Sequence, residues 1–435
     1  MTGAGIAAAR GVYRLWSGAS AMDGHPAAMP WIMLTPPDPE RCMRLRRCAI
    51  VLLEPRERTL LDLRLLGPGG NGLRTIVEWV ALAPQLASEV VLSPAELAVL
   101  GSLSPSAWTA RALLEEAHPP MQLDSLVDKG LLVAEGSPAD ARDRVLRQAH
   151  WRALPAAMHY ASRWQGVDTE AAERLFEATT RGSLLDRLGP PPPVVAERGD
   201  PANRRALPAP ADSPLGRLLD ARVTCRNFAP QAALSLDDFA SVLQRAFGAR
   251  AVQDYLPGIQ LLKKGVPSAG GLHATEAYLL VQRVAGVEPG LYHYHPVAHT
   301  LSPLRMLAAA DARDLARRLV AAQDYFADAQ AIVFPCVRFR RTFWKYRNHA
   351  KAYRALVLDV GHLSQALYLA ATEHGLAAFI TAAINEVDVE QAFGLDPLEE
   401  GPLAACGFGI RADACREVEF DPLGVAWRAP PPATA

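Results

Sequence analysis

Two periodicities divide the apolar positions of this chain. In the first half, apolar and β-branched runs predict strands over Arg47–Leu53 and Thr59–Leu66, separated by the polar segment Glu54–Arg58. Ser93-Pro94-Ala95-Glu96 then supplies an N-cap, a proline at the first helical position and a glutamate at the third. It predicts a helix through Leu97 and Leu100. A second helix carries Leu123, Leu126 and Val127, stops at Gly130, and leads into a short strand over Leu131-Leu132-Val133. Helices followed by such a strand resemble a winged helix; a plain helical subdomain is the alternative.

In the second half the helical period returns over Leu236, Phe239, Val242, Leu243, Ala246 and Phe247, capped by Ser235 and ended by Gly248. Strands are predicted over Glu276–Val284, Leu291–Tyr294, Ala331–Phe339 and Ala404–Arg411. A long amphipathic helix places Tyr353, Leu356, Val357, Val360, Leu363, Leu367 and Ala370 on one face and stops at Gly375. Between the halves, Pro190–Pro193, Pro201, Pro208, Pro210 and Pro214 cannot propagate helix or central strand. The chain therefore reads as a loose tail (1–30), a winged-helix-like domain (31–187), a Pro-rich linker (188–213) and an α+β domain (214–425).

Composition narrows the function. Lys and Arg number 45 against 46 Asp and Glu among 435 residues, a net charge of −1. No basic stripe points to nucleic acid or an anionic membrane, so the first domain is expected to read peptide or protein. No apolar run reaches the ~20 residues of a membrane span, and no signal-like core precedes the first domain. Six scattered cysteines without CxxC spacing suggest a reducing compartment, hence a cytoplasmic protein.

Three segments carry chemistry. Arg222 and Arg226 flank Thr224, offering two guanidinium forks and a hydroxyl to a phosphate monoester; solvated arginines at a helix end are the plain alternative. Pro267-Ser268-Ala269-Gly270-Gly271 lies before a strand, where small residues let backbone N–H groups approach a flat ligand; an ordinary Gly-Gly turn is the alternative. Lys345 and Tyr346, flanked by Phe343 and Trp344, suit a partly desolvated base; a snorkelling lysine is the alternative. His293 and His295 share a strand face, but no carboxylate or cysteine nearby in sequence completes a metal set, and no metal is expected.

The order and spacing of these segments resemble the SagB-type branch of the nitroreductase superfamily and the related peptide maturation dehydrogenases. That family shows Arg-Arg-Ser-x-Arg-x-Phe, Pro-Ser-Ala-Gly-x-Leu-His-Pro-x-Glu, Gly-Leu-Tyr-x-Tyr and Lys-Tyr. Here Arg222, Thr224, Arg226 and Phe228 are followed by Pro267–His273 with Glu276, Gly290–Tyr294 and Lys345-Tyr346. Val360–Gln365 and Gly375-Leu376 match its long helix. Val223, Thr224 and Ala274 depart from the pattern. Thr381-Ala382-Ala383 stands where many relatives carry Gly-Gly beside the flavin N5.

The resemblance implies an FMN-dependent dehydrogenase of ribosomal peptide maturation that oxidises azoline-type rings or a related Cα–Cβ bond. Arg222, Thr224 and Arg226, with Arg411 as a weaker candidate, would hold the FMN phosphate and ribityl end. Pro267, Ser268, Ala269, Gly270 and Gly271 would line the ring system, with Thr381, Ala382 and Ala383 near N5. Lys345 and Tyr346 would be catalytic, with His273 or Tyr294 next in line for the proton step. Implied partners are a precursor peptide, a cyclising enzyme and a second copy of the chain, with FMN at the dimer interface. An NAD(P)H-dependent nitro- or flavin reductase, and a flavin-free binding subunit retaining the fold, remain open alternatives.

Overall fold

The computed structural model describes residues 43–67, 69–172, 174, 186 and 188–427; the expected tail lies outside them. The first half opens with β1 (Arg44–Arg47), β2 (Leu52–Leu61), β3 (Leu73–Leu82) and β4 (Val90–Leu92). Strands β2 and β3 pair over ten residues each, so Glu54–Arg58 continues a strand where its polarity predicts a break. The reason is period two. Glu54, Arg56 and Arg58 lie on one exposed face, where Arg56 bridges Glu54 and Glu89 at 2.7 and 2.9 Å and Arg58 bridges Glu78 at 3.2 Å. A polar stretch then costs the ladder nothing.

Helix α1 (Pro94–Ser102) has the full capping box, with Ser93 and Glu96 each bonding the other's backbone N–H. After β5 (Thr109–Ala110) and α2 (Arg111–Glu115), α3 (Pro120–Asp128) ends before Gly130, whose φ is 68°. Strand β6 (Leu132–Ala134) pairs with β1, and α4 (Pro138–Gln148) and α5 (Ala153–Ala161) follow it. The described part of the linker, residues 188–213, carries one short 3-10 turn, Pro201–Asn203, and no strand.

The second half begins with α6 (Pro214–Ala221) and α7 (Leu236–Ala246), then a hairpin of β7 (Ala249–Leu256) and β8 (Ile259–Lys264). Strands β9 (Thr275–Val281), β10 (Gly290–His295) and β11 (Thr300–Met306) precede α8 (Ala309–Leu319) and α9 (Asp324–Ala327). Then come β12 (Ala331–Arg338), α10 (Phe339–Tyr346), the long α11 (Lys351–Glu373), β13 (Ala377–Thr381), α12 (Glu386–Phe393), β14 (Glu400–Pro402) and β15 (Ala405–Gly409). The central sheet runs β11-β10-β9-β12-β15-β13, with β14 also beside β12. Its ladders are antiparallel, and an isolated parallel bridge joins Thr224 to Ala378.

Strand alternation builds a core on each face. Leu279, Val281, Val333 and Phe408 meet Phe239 and Leu243 of α7 and Leu363 and Leu367 of α11. Leu280, Ile332 and Phe334 meet Leu315 and Leu319 of α8 and Phe393 of α12. A third core crosses the linker. Ile50, Leu146, Trp151 and Ala156 of the first half pack with Val337, Phe339, Phe343, Tyr353 and Leu356 of the second. Trp151 lies 4.6 Å from Phe339 and 4.9 Å from Phe343, ring centre to ring centre, and donates its indole N–H to Leu398 O at 2.7 Å. Helices α4 and α5 are thereby fixed against the second half, Arg142 of α4 pairing with Asp396 and Arg163, just after α5, bridging Glu390 at 2.8 Å.

Candidate functional site

Helix α6 ends at Arg222, and the chain leaves it extended, with Cys225 N–H donating to Ala378 O of β13 at 2.9 Å. That ladder turns Arg222, Thr224 and Arg226 into a cleft of about 410 Å³ shared with Gln323, Tyr325, Phe326, Ile380, Thr381 and Phe420. The Arg222 guanidinium stands over Tyr368 at 5.2 Å, and that of Arg226 over Tyr325 at 5.7 Å. Thr224 Oγ and Tyr368 Oη lie 2.8 Å apart. Among the described residues neither arginine forms a salt bridge; the Arg226 guanidinium gives one hydrogen bond, to Val418 O at 3.1 Å. Two unneutralised guanidiniums and a hydroxyl at one mouth are a donor set for a phosphate dianion.

Arg411 sits elsewhere. Its guanidinium is paired with the fully buried Glu419 carboxylate and stacks on Trp427 at 5.0 Å. Glu419 also accepts from Arg226 N–H, the Asn227 backbone and amide, and the Trp427 indole. Burial opposes ionisation of Glu419, but these hydrogen bonds and Arg411 bring its pKa below the usual range. Arg411 is thus committed to fastening the C-terminal segment.

Thr381-Ala382-Ala383 reaches the same cleft through Thr381, and Gln323 fixes its course. Gln323 donates to Ala383 O at 2.7 Å and accepts from Thr381 Oγ at 3.3 Å, while Thr381 Oγ accepts from Ala383 N–H at 3.1 Å. Gln323 follows Ala321 and Ala322, both left-handed with φ of 51° and 64°. Such a backbone costs alanine about 1–2 kcal/mol, and this strain was one feature that sequence reading missed. Tyr325, Phe420 and Glu419 were missed as well, having no local signal.

Pro267–Gly271 is anchored from behind. Buried Asp359 of α11 accepts from Ser268 Oγ at 2.6 Å and from Ala269 N–H at 3.1 Å, and Ser268 Oγ accepts from His273 N–H at 2.9 Å. Gly270 and Gly271 have φ of 61° and 70°. Lys345 donates to Gly270 O at 3.4 Å, and a Cβ at Gly270 would stand 2.5 Å from Tyr346 Oη and 2.6 Å from Lys345 Nζ. Glycine is required for this approach. Lys345 itself is exposed, which corrects the desolvated lysine that its aromatic neighbours suggest. On α10, Phe343 turns into the core while Trp344 and Lys345 face outward, so the aromatic run does not enclose the amine. Ala269 and Tyr346 line a second cleft of about 580 Å³, distinct from that of Arg222.

The histidines have separate partners. His293 meets Glu276 at 3.4 Å, His295 Nδ1 accepts from Ala298 N–H at 3.0 Å, and His299 bonds Tyr294 Oη at 2.8 Å. The carboxylate beside His293 was missed in the sequence because it comes from β9. Tyr294 is buried in the core and does not face either cleft. His273, with a left-handed φ of 44°, has its pKa lowered to about 4 by burial and then by Lys264, Arg341 and Lys263, so its imidazole is neutral at neutral pH.

Around Glu276 sits a carboxylate pair with a testable pH signature. Burial opposes Glu276 ionisation, but hydrogen bonds from His293 and Arg338 bring its pKa to about 2. Burial and then the Glu276 charge push Glu400 up to about 7, against contributions from Arg338, Tyr278 and His293. Because the folded pKa is raised, Glu400 contributes stability fully below its ordinary value of 4.5 and loses it as pH rises through about 7. Glu400→Gln should therefore gain stability over the native protein at pH 8 but not at pH 4.5, by denaturant titration. An equal difference at both pH values would contradict this.

Residues 219–410 match the nitroreductase family. The chain is 32% identical over 175 residues to the trifolitoxin-processing protein TfxB of Rhizobium leguminosarum bv. trifolii, covering 40% of this chain and 46% of the relative. It is 25% identical over 195 residues to the microcin B17-processing protein McbC of Escherichia coli, covering 43% of this chain and 67% of that relative. The match thus spans less than half the length of TfxB. A solved structure of the E. coli microcin synthetase McbBCD complex with truncated pro-MccB17 bound aligns with a TM-score of 0.46 and 21% identity, over 62% of this chain and 94% of that one. The chain carries a nitroreductase-family domain preceded by a β-rich N-terminal region, and its peptide-processing relatives fit the SagB-type branch. No helix among the described residues is long and apolar enough to cross a membrane.

Proposed function

We propose that this chain is an FMN-dependent dehydrogenase that oxidises an azoline-type ring, or a related Cα–Cβ bond, in a ribosomally made precursor peptide. The observation that carries the reading is the convergence of Lys345 and Tyr346 on Gly270 in a chain whose arginine cleft holds no salt bridge of Arg222 or Arg226 among the described residues. The donor set fits FMN: Arg222, Arg226 and Thr224 would hold its phosphate, and the Thr381–Ala383 backbone would border its ring. Bound FMN would supply the hydride acceptor for the Cβ hydrogen. The chain's own work is to remove the Cα proton, for which Lys345 Nζ and Tyr346 Oη are the groups in reach of one point.

The two clefts are separate in one chain, and α11 leaves Leu358 exposed at 59%. A homodimer, with FMN between copies, would cover this face and join the two sets. The N-terminal region, about 31–187, is proposed to recognise peptide or a cyclising partner, and the proposal places the protein in the cytoplasm. The test is direct. Protein reconstituted with FMN and given a thiazoline-containing peptide should remove two hydrogen atoms from the ring, read by mass spectrometry; an unchanged peptide under aerobic turnover conditions refutes the reading.

Gly270→Ala separates this geometry from mere packing. The atoms that the new methyl meets are the mobile ends of Lys345 and Tyr346, so the fold should survive with a loss of about 1–2 kcal/mol from the left-handed backbone. Ring oxidation should fall at least about tenfold, in line with displaced catalytic groups. An oxidation rate equal to that of the native protein would show that the close approach is not used.

A further inference from the structure

A third cleft, of about 400 Å³, is walled on one side by the first half of the chain and on the other by the nitroreductase-family domain. Met158, His159, Ser162 and Arg163 come from α5 and the residues just after it. Val357 and Gly361 of α11, Ile380 and Ala382, and Leu403 face them. The family match begins at residue 219, so the α5 wall is an addition to that domain. Ile380 also lines the arginine cleft, and Ala382 directly follows Thr381, which lines it too. The third cleft therefore opens beside the segment proposed to border the reacting ring.

Its lining decides what it can hold. Met158 and Val357, 63% and 49% exposed, form an apolar mouth over Val360 and Leu403. The polar end is largely paired within the protein, although Arg163 Nε and Glu390 Oε1 have no partner among the described residues. Arg163 is bridged to Glu390 at 2.8 Å, Glu386 accepts Trp164 N–H at 2.8 Å, and His159 lies between Tyr353 Oη at 3.3 Å and Pro397 O at 3.1 Å. Arg163 and Glu390 offset each other, and burial raises the pKa of Glu386 and so favours its neutral form, which leaves the cleft poorly suited to a charged group. The size is that of a small-ligand site, not of a surface for a folded partner.

We propose that this cleft takes an uncharged apolar side chain of the substrate peptide, next to the residue being oxidised, and so sets sequence preference. The proposal rests on the dehydrogenase reading for its substrate class. Burying one large apolar side chain there should raise kcat/KM by about 10–100-fold over glycine.

The test uses the full FMN-reconstituted chain and three N-acetyl-X-thiazoline amides with X as Phe, Gly or Lys. The expected order places Phe first by that factor. Met158→Trp, which fills the mouth, should collapse the Phe-to-Gly ratio to within about twofold, because the burial gain is lost. A second measurement does not need turnover: with methyl-labelled methionine, the Met158 NMR signal should shift on adding N-acetylphenylalaninamide and not N-acetylglycinamide. Equal kcat/KM for Phe and Gly overturns the proposal, as does Lys equal to Phe. Loss of flavin from Met158→Trp also overturns it, since the cleft would then hold cofactor. If none of the three rings is oxidised, the dehydrogenase reading fails separately, and the Met158 signal alone decides: a selective shift upholds the apolar site, and no shift rejects it.

Discussion

Replacing Arg222 and Arg226 together by alanine is expected to yield folded protein that purifies without yellow colour. Each guanidinium would give an ionised phosphate charge-assisted hydrogen bonds worth about 1.5–3 kcal/mol. Losing both weakens FMN binding by roughly 10²–10⁴-fold, at tenfold per 1.4 kcal/mol. The fold should tolerate it, because neither arginine is paired with a carboxylate among the described residues; each overhangs a tyrosine ring, and Arg226 adds one hydrogen bond to Val418 O. Arg411→Ala should behave in the opposite way. It strands the buried Glu419 carboxylate, which ties Asn227 and Trp427 to the C-terminal segment. Removing one partner of such a pair costs about 3–5 kcal/mol, so melting should drop before flavin content does. Absorbance at the flavin bands, read against melting temperature, separates the two cases. Full flavin occupancy in the double variant would remove the phosphate assignment.

The contrast between these arginines shows where sequence reading reaches its limit. Arg222, Thr224 and Arg226 were legible because residues two apart in an extended segment share a face, and a sheet bridge at Thr224 then turns that face into the cleft. Arg411 carries the same chemistry, but its fate depends on Glu419, eight residues on, whose burial no local pattern announces. Helices with caps were equally legible: Ser93, Ser235 and Gly375 mark their ends within a residue or two. The β2–β3 ribbon was not, because its stability lies in cross-strand pairs between residues that sequence keeps apart. The β7–β8 hairpin, largely exposed, offered no apolar alternation to read. The division at the Pro-rich stretch was plain in composition, yet the core ignores it, since Trp151 and His159 pack on Phe339 across that boundary. Contacts of that range depend on tertiary packing, which a residue pattern does not encode.

Lys345→Ala and Tyr346→Phe are each expected to slow substrate oxidation by about 10²–10⁴-fold, the usual loss for a positioned proton-transfer group. Dehydrogenation across Cα–Cβ releases a proton as well as a hydride, and a flavin accepts only the latter. The amine and the phenol meet at Gly270, whose missing side chain leaves them room. Because Lys345 is exposed, its replacement removes no core contact, and Tyr346 keeps its ring as phenylalanine. Flavin content and melting temperature should stay near those of the native protein in both variants. His273 is the group to examine if they do not: it is neutral at neutral pH, follows the same glycine loop, and holds a backbone bond to Ser268. Tyr294 is no substitute, being enclosed in the core against His299. Rapid-mixing measurement of flavin bleaching by a thiazoline substrate gives the decisive rate. Native bleaching rates in both variants, or loss of FMN with an unchanged rate per bound flavin, would make the pair structural and move the proton step to His273.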